Sequence, residues 1–73
     1  MEIPLTATFV QDGDWIVAWL EEIPGVSTQG RTIEEARENL RDALEMTIEA
    51  RREIARRKTQ GQAIISREVF SGA

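Results

Sequence analysis

The sequence predicts a small α+β domain of two layers, in which one long helix covers one face of a mostly antiparallel sheet. Two short segments of alternating apolar and polar residues flank a turn at Asp12-Gly13, which is typical of a β-hairpin. Residues 33–58 instead place apolar side chains at steps of three and four, which indicates an amphipathic helix. With a third strand before the helix and a fourth after it, the predicted element order is β-β-β-α-β.

The composition limits the size and the class of the protein. The 73 residues allow a single domain, 1–73, with a thin core. The chain has no cysteine, so disulfides cannot reinforce that core, and self-association is the remaining common route to stability. A net charge of -4 argues against general nucleic-acid binding through bulk charge. No apolar run is long enough for a membrane span and no export signal opens the chain, so we expect a cytoplasmic protein.

The first two strands are predicted at residues 3–10 and 15–20. The dipeptide Asp12-Gly13 favours a type I′ turn closed by Gln11 and Asp14. The pairs expected from this closure are Phe9 with Ile16, Ala7 with Ala18, and Leu5 with Leu20. These pairs form a uniformly apolar face that we expect to lie under the helix, although a slip of one residue would exchange the faces of the second strand.

The opposite face of this hairpin carries Trp15, Val17 and Trp19, which is unusual for a surface that meets water. The second strand is therefore apolar on both sides, and another copy of the chain is the candidate for its second cover. The alternative is that loops and long Arg or Glu side chains shield the tryptophans. Together with the acidic loop Glu21-Glu22, these residues are the candidates for a partner interface or a self-interface, the latter in a homo-oligomer, a dimer or higher.

The third strand, the helix and the last strand follow in order. Pro24-Gly25 suits a type II turn before a short strand at 26–29. Thr32 and Glu35 have the spacing of a capping box, which starts the helix at residue 33. The helix should be nearly 40 Å long and should project beyond the sheet. A last strand is predicted at 63–70, and a right-handed crossover would place it beside the first, in the sheet order 3-2-1-4.

The charges of the helix are segregated, with acidic residues in its first half and basic residues at its end. The basic residues are Arg51, Arg52, Arg56, Arg57 and Lys58. This polarity complements the helix dipole, and Glu53 can pair with Arg57 one turn later. The functional alternative is that the basic end contacts RNA or another anion, although no aromatic residue lies among these cations to stack bases.

The sequence offers little for catalysis. It contains no His and no Cys, and the absence of Tyr removes a further common acid or base. Its serines have no evident activating base, its acidic residues do not converge on a metal site, and no Gly-rich phosphate loop occurs. We therefore expect a protein without enzymatic activity, without a metal and without a cofactor.

Several short motifs occur together in a characteristic order and spacing. They are Asp12-Gly13, Trp15-Ile16-Val17, Ile23-Pro24-Gly25 and Thr28-Gln29-Gly30-Arg31-Thr32-Ile33-Glu34-Glu35-Ala36, followed by Asn39, Asp42, Ala43 and Leu44. In this order they resemble the HicB antitoxin family, over about two-thirds of the chain.

The resemblance implies a partial ribonuclease-H-like fold and a partner, a small basic HicA-type ribonuclease toxin. Fuller members of that family carry a C-terminal DNA-binding module. This chain stops after one predicted strand, so we expect no DNA binding by this chain alone. The carboxylates of an active ribonuclease H are not matched, and no catalytic residue is carried over.

The sequence therefore predicts a HicB-like antitoxin domain of the bacterial cytoplasm that acts by binding a basic ribonuclease. Two alternatives stay open. In the first, the chain is a stand-alone homo-oligomeric interaction module that has lost toxin pairing; in the second, it binds RNA weakly through the basic helix end.

Overall fold

A computed structural model describes residues 4–69 and consists of three strands and one long helix. The elements are β1 (Ala7–Asp12), β2 (Trp15–Leu20), β3 (Ser27–Gly30) and α1 (Ile33–Lys58). The strands form one antiparallel sheet in the order β1-β2-β3, so β2 is the central strand. This architecture confirms the predicted α+β class, the hairpin and the single long helix.

The hairpin closes one residue later than the sequence predicted. Asp12 pairs with Trp15, so Gly13 and Asp14 form the turn. Gly13 has a φ of 60°, and among residues 4–69 positive φ is confined to glycines. Only the first turn residue is thus left-handed, which is the geometry of a type II′ turn and not of the predicted type I′. The Gln11 amide supports this turn by donating to the Gly13 carbonyl oxygen at 2.7 Å.

The later closure shifts the whole register by two residues. The observed pairs on the helix side of the sheet are Ala7 with Leu20, Phe9 with Ala18, and Gln11 with Ile16. The predicted pairs were therefore wrong. Because side chains alternate with a period of two, an even shift leaves every residue on its predicted face.

The helix packs on the face that was expected to lie under it. The buried core consists of Ala18, Leu20, Val26, Ala36 and Leu40. Phe9, Ile16, Ile23, Ala43 and Leu44 are partly buried against it. This core contains few large side chains, as expected for a domain of this size.

Gly30 allows the start of α1 to lie close against the sheet. A Cβ atom at this position would lie 2.6 Å from the backbone nitrogen of Ala36, nearer than real Cβ contacts allow. The N-cap is Thr32, whose hydroxyl oxygen accepts a hydrogen bond from the Glu35 N–H at 3.1 Å, as predicted. The Asn39 amide also donates to the Gln29 carbonyl oxygen at 2.9 Å. These contacts fix the helix over β2 and β3.

The predicted fourth strand and the sheet order 3-2-1-4 were wrong over the described residues. Residues 63–69 form no strand, and Phe70 lies outside the described range. The helix rises about 39 Å over its length, whereas a six-residue strand spans only about 20 Å. The segment therefore starts well beyond the sheet. A local hydrogen bond from the Ser66 hydroxyl to the Glu68 carboxylate (3.1 Å) further competes with strand pairing.

The projecting helix makes the molecule elongated, with dimensions of 51 × 27 × 16 Å. Its radius of gyration is 15.8 Å, compared with about 11 Å for a compact domain of this length. Within residues 4–69, no helix combines the length and the apolar composition that crossing a bilayer requires.

Candidate protein-binding face of the sheet

The sheet face turned away from α1, which we call the open face, is centred on β2. Alternation along this strand places Trp15, Val17 and Trp19 together on this side, as the sequence predicted. All three side chains are only half-buried. Because β2 is the central strand, its three apolar side chains form a stripe along the middle of the face and not along its edge.

Smaller side chains border this stripe on both neighbouring strands. Thr8 of β1 and Ser27 of β3 lie across from Trp19, and Val10 and Gln29 lie across from Val17. Val10 is 41% exposed, which extends the apolar surface towards the outer edge of β1. The open face therefore has an aromatic and aliphatic centre with hydroxyl and amide groups at its border, an arrangement typical of protein interfaces.

One end of the stripe is covered by an Arg side chain, which agrees with the alternative that long Arg side chains shield the tryptophans, although the sequence did not show which residue does so. The guanidinium carbon of Arg31 lies 3.9 Å from the ring centroid of Trp15, a close cation–π contact. Gly30 pairs with Ile16, so the residue after it lies opposite Trp15. The register of β3 against β2 would have located Arg31, but that register was not predicted.

The other end of the stripe carries the two predicted carboxylates. The hydroxyl of Thr8 donates to Glu21 Oε1 at 3.1 Å. The backbone N–H of Thr6 donates to Glu22 Oε1 at 2.6 Å, and its hydroxyl donates to Glu22 Oε2 at 2.7 Å. These bonds, the backbone one first, lower the pKa of Glu22 below its usual value. Both acidic groups are thus held in place and remain exposed to solvent.

The basic end of the helix lies apart from the stripe. All five predicted cations are exposed: Arg51, Arg52, Arg56, Arg57 and Lys58. Glu53 lies 3.4 Å from Arg57 and 4.0 Å from Arg56, so the predicted Glu53–Arg57 pair is confirmed. Arg51 donates to the Pro24 carbonyl oxygen at 3.5 Å. Three of the five cations therefore already have partners within the chain, and RNA contact at this end stays a prediction.

The open face presents groups that can make non-covalent contacts. Its polar groups are hydroxyls, amides and solvent-exposed charges arranged around aromatic rings. Among residues 4–69, no three His, Cys, Asp or Glu side chains are grouped so as to hold a metal ion. Two grooves lie elsewhere, one at the end of α1 and one beside β1. The open face therefore offers a broad surface to a partner, with an acidic end and a central pair of tryptophans.

Comparison with known proteins assigns the chain to a family. The sequence profile of the UPF0150-like family matches residues 6–53, which include all three strands and most of α1. This family is related to the HicB-like antitoxins. No curated protein and no solved structure matches the chain. Because the profile covers more than half of the sequence, the chain belongs to the UPF0150-like family.

Proposed function

We propose that this protein is a HicB-like antitoxin domain that binds and neutralises a small basic HicA-type ribonuclease toxin, without catalysis of its own. The family relationship supports a role connected with toxin–antitoxin systems. The single observation that carries the proposal is the open face, with its half-buried tryptophans on the central strand and its carboxylates at one end. An antitoxin of this kind acts by covering the active site of its toxin.

The two tryptophans are the expected anchors of the interface. Tryptophan is enriched among the residues that dominate binding energy, and such residues cluster near the centre of an interface. Trp15 and Trp19 lie on the central strand, bordered by smaller side chains that can exclude water from the contact. Each Trp side chain is only partly buried in the free chain, so each has apolar surface left to bury.

The acidic end of the open face supplies charge complementarity. Glu21 and Glu22 are held by Thr8 and Thr6, so little side-chain freedom is lost when a cation pairs with them. The chain as a whole is acidic, with a net charge of -4. A basic ribonuclease should therefore associate rapidly and in a salt-dependent manner.

The direct test is inhibition of RNA cleavage by a HicA-type ribonuclease from the same host. We expect the wild-type chain to abolish cleavage at a stoichiometric ratio. Trp19→Ala should weaken inhibition by at least tenfold, since anchor truncations cost about 2 kcal/mol or more. Met46→Ala is the matched control, because Met46 is 69% exposed on α1 and away from the open face. Cleavage that continues in the presence of excess wild-type chain would refute the proposal.

A second candidate function is a homo-oligomeric interaction module that uses the same face. The observation that favours it is the apolar surface of the open face, where Val10 is 41% exposed beside the half-buried tryptophans. If the open face binds a second copy, Trp15→Ala or Trp19→Ala will shift the solution mass from oligomer towards monomer. An unchanged mass in both variants would exclude self-association through the tryptophans.

A further inference from the structure

The core is open to solvent at the outer edge of β1. β1 pairs with β2 on one side only, and the described chain places no strand on its other side. Beside this edge, between β1 and α1, lies a groove of about 250 Å³, which we call the edge groove. It is lined by Ala7, Phe9, Leu20, Arg37, Leu40, Arg41 and Leu44. Five of these side chains are apolar, and all of them except Ala7 belong to the core or pack against it, so the groove extends the core to the surface.

The backbone of β1 offers hydrogen bonds along the same edge. The Glu21 N–H donates to the Thr6 carbonyl oxygen, and bonded pairs alternate along an antiparallel ladder. The residues bonded to β2 are therefore the even-numbered ones, up to Asp12, which closes the turn. The N–H groups of Ala7, Phe9 and Gln11 consequently point away from the sheet, where an added strand would accept them.

Residues 63–69, which we call the C-terminal segment, carry apolar side chains that have little surface to pack against. Their sequence is rich in strand-forming residues, yet Ile65 and Val69 are 103% and 97% exposed. The segment runs beside the end of α1, where a second groove of about 480 Å³ separates it from the helix at Arg52 and Ala55. It is therefore loosely packed, and leaving this position would cost few contacts.

The edge groove and the C-terminal segment are complementary in shape and charge. In an extended conformation, Ile64 and Glu68 would lie on one face of the segment, four residues apart. The groove has an apolar floor and two guanidinium groups, with the Arg37 carbon 5.6 Å from the Phe9 ring centroid. Ile64 fits the apolar floor and Glu68 fits the two arginines. Ile65 and Val69 would then lie beside Val10 on the open face.

We propose that the C-terminal segment of one copy pairs with the outer edge of β1 in a second copy and fills its edge groove with Ile64. The occupant is a second copy because the segment of the same chain lies along the end of α1, with Arg67 and Glu68 beside Arg52 and Ala55, and not at the edge of β1. When each copy places its C-terminal segment on the β1 edge of the other, both edge grooves are filled. The result is a closed twofold dimer, an isologous arrangement typical of exchanged elements. This inference does not depend on toxin binding.

The first test is the solution mass of the full chain by size-exclusion chromatography with light scattering. Wild type should have twice the monomer mass of 8.3 kDa. Ile64→Asp should be monomeric with unchanged helical circular dichroism, because Ile64 is 44% exposed and outside the buried core. Met46→Asp introduces the same charge on α1 and should remain dimeric. A monomeric wild type, or an Ile64→Asp chain that stays dimeric, would overturn the proposal.

The second test asks whether the segment and the edge meet each other. Ala7→Pro removes an outward N–H without breaking the ladder to β2, so it should also be monomeric. A mixture of Ala7→Pro and Ile64→Asp contains one intact segment and one intact edge, and it should form a heterodimer at high concentration. A mixture that stays monomeric while wild type dimerises would contradict pairing between these two elements. A dimer lost in Trp19→Ala but kept in Ile64→Asp would move the self-contact to the open face and overturn the proposal.

Discussion

Glu22 shows how single residues set the acidic end of the open face. Its carboxylate accepts hydrogen bonds from the backbone N–H and the hydroxyl of Thr6, which lie at the start of the sheet. These donors favour the ionised carboxylate and lower its pKa. The same bonds connect the loop after β2 to the residues that precede β1. The ionised Glu22 carboxylate therefore helps to hold these two segments together.

The lowered pKa gives a pH-dependent contribution to stability. A carboxylate whose pKa is lower in the folded state stabilises that state above its unfolded pKa, and the contribution is lost as the pH falls through the folded value. We expect Glu22→Gln to lower the melting temperature at neutral pH, with a difference from wild type that shrinks below about pH 4. Thermal unfolding followed by circular dichroism measures this. A difference that is the same in acid and at neutral pH would contradict it, and Glu49→Gln on α1 is the control.

The residues of the open face also show which contacts could be predicted from the sequence and which could not. The pattern of β2 placed Trp15, Val17 and Trp19 on one face correctly, because alternation depends only on a period of two. Arg31 was missed, because its contact with Trp15 depends on how β3 is aligned with β2. A short strand of four residues contains too few apolar side chains to define that alignment.

At the scale of elements, the helix was the most predictable part of the chain. Thr32 caps it and Lys58 ends it, as the sequence indicated. The hairpin register was less predictable, because Asp12-Gly13 and Gly13-Asp14 both provide a glycine in a two-residue turn. The fourth strand was predicted from its composition alone. The predicted length of the helix already placed its end beyond the sheet, but that length was not weighed against the strand composition of residues 63–69.

The close approach of α1 to β3 at Gly30 gives a prediction for the packing of these elements. Gly30→Ala should destabilise the fold by about 1–3 kcal/mol, the usual cost of overpacking, because its Cβ would lie 2.6 Å from the Ala36 nitrogen. Urea unfolding provides the measurement. Ser27→Ala, an exposed change on the same strand, should have a much smaller effect. Equal stability of Gly30→Ala and wild type would show that the helix can move away from the sheet without cost.

For the whole molecule, the structure separates three surfaces by their chemistry. The open face combines tryptophans with carboxylates, the edge of β1 combines free backbone groups with an apolar groove, and the end of α1 is basic. We assign the first to a basic ribonuclease and the second to another copy of the chain. The exchange through residues 63–69 adds to the border of the open face at Val10 and does not use the tryptophans, so both copies keep Trp15 and Trp19 available for a toxin.

The central claim is that the open face binds the toxin, and the two tryptophans allow it to be observed directly. The chain contains two Trp residues, both on this face, so a ¹⁵N-labelled sample gives one indole N–H signal from each. An unlabelled HicA-type ribonuclease is invisible in the same spectrum. Our account predicts that both indole signals shift or broaden on addition of one equivalent of toxin. Indole signals that remain unchanged while backbone signals elsewhere respond would contradict it.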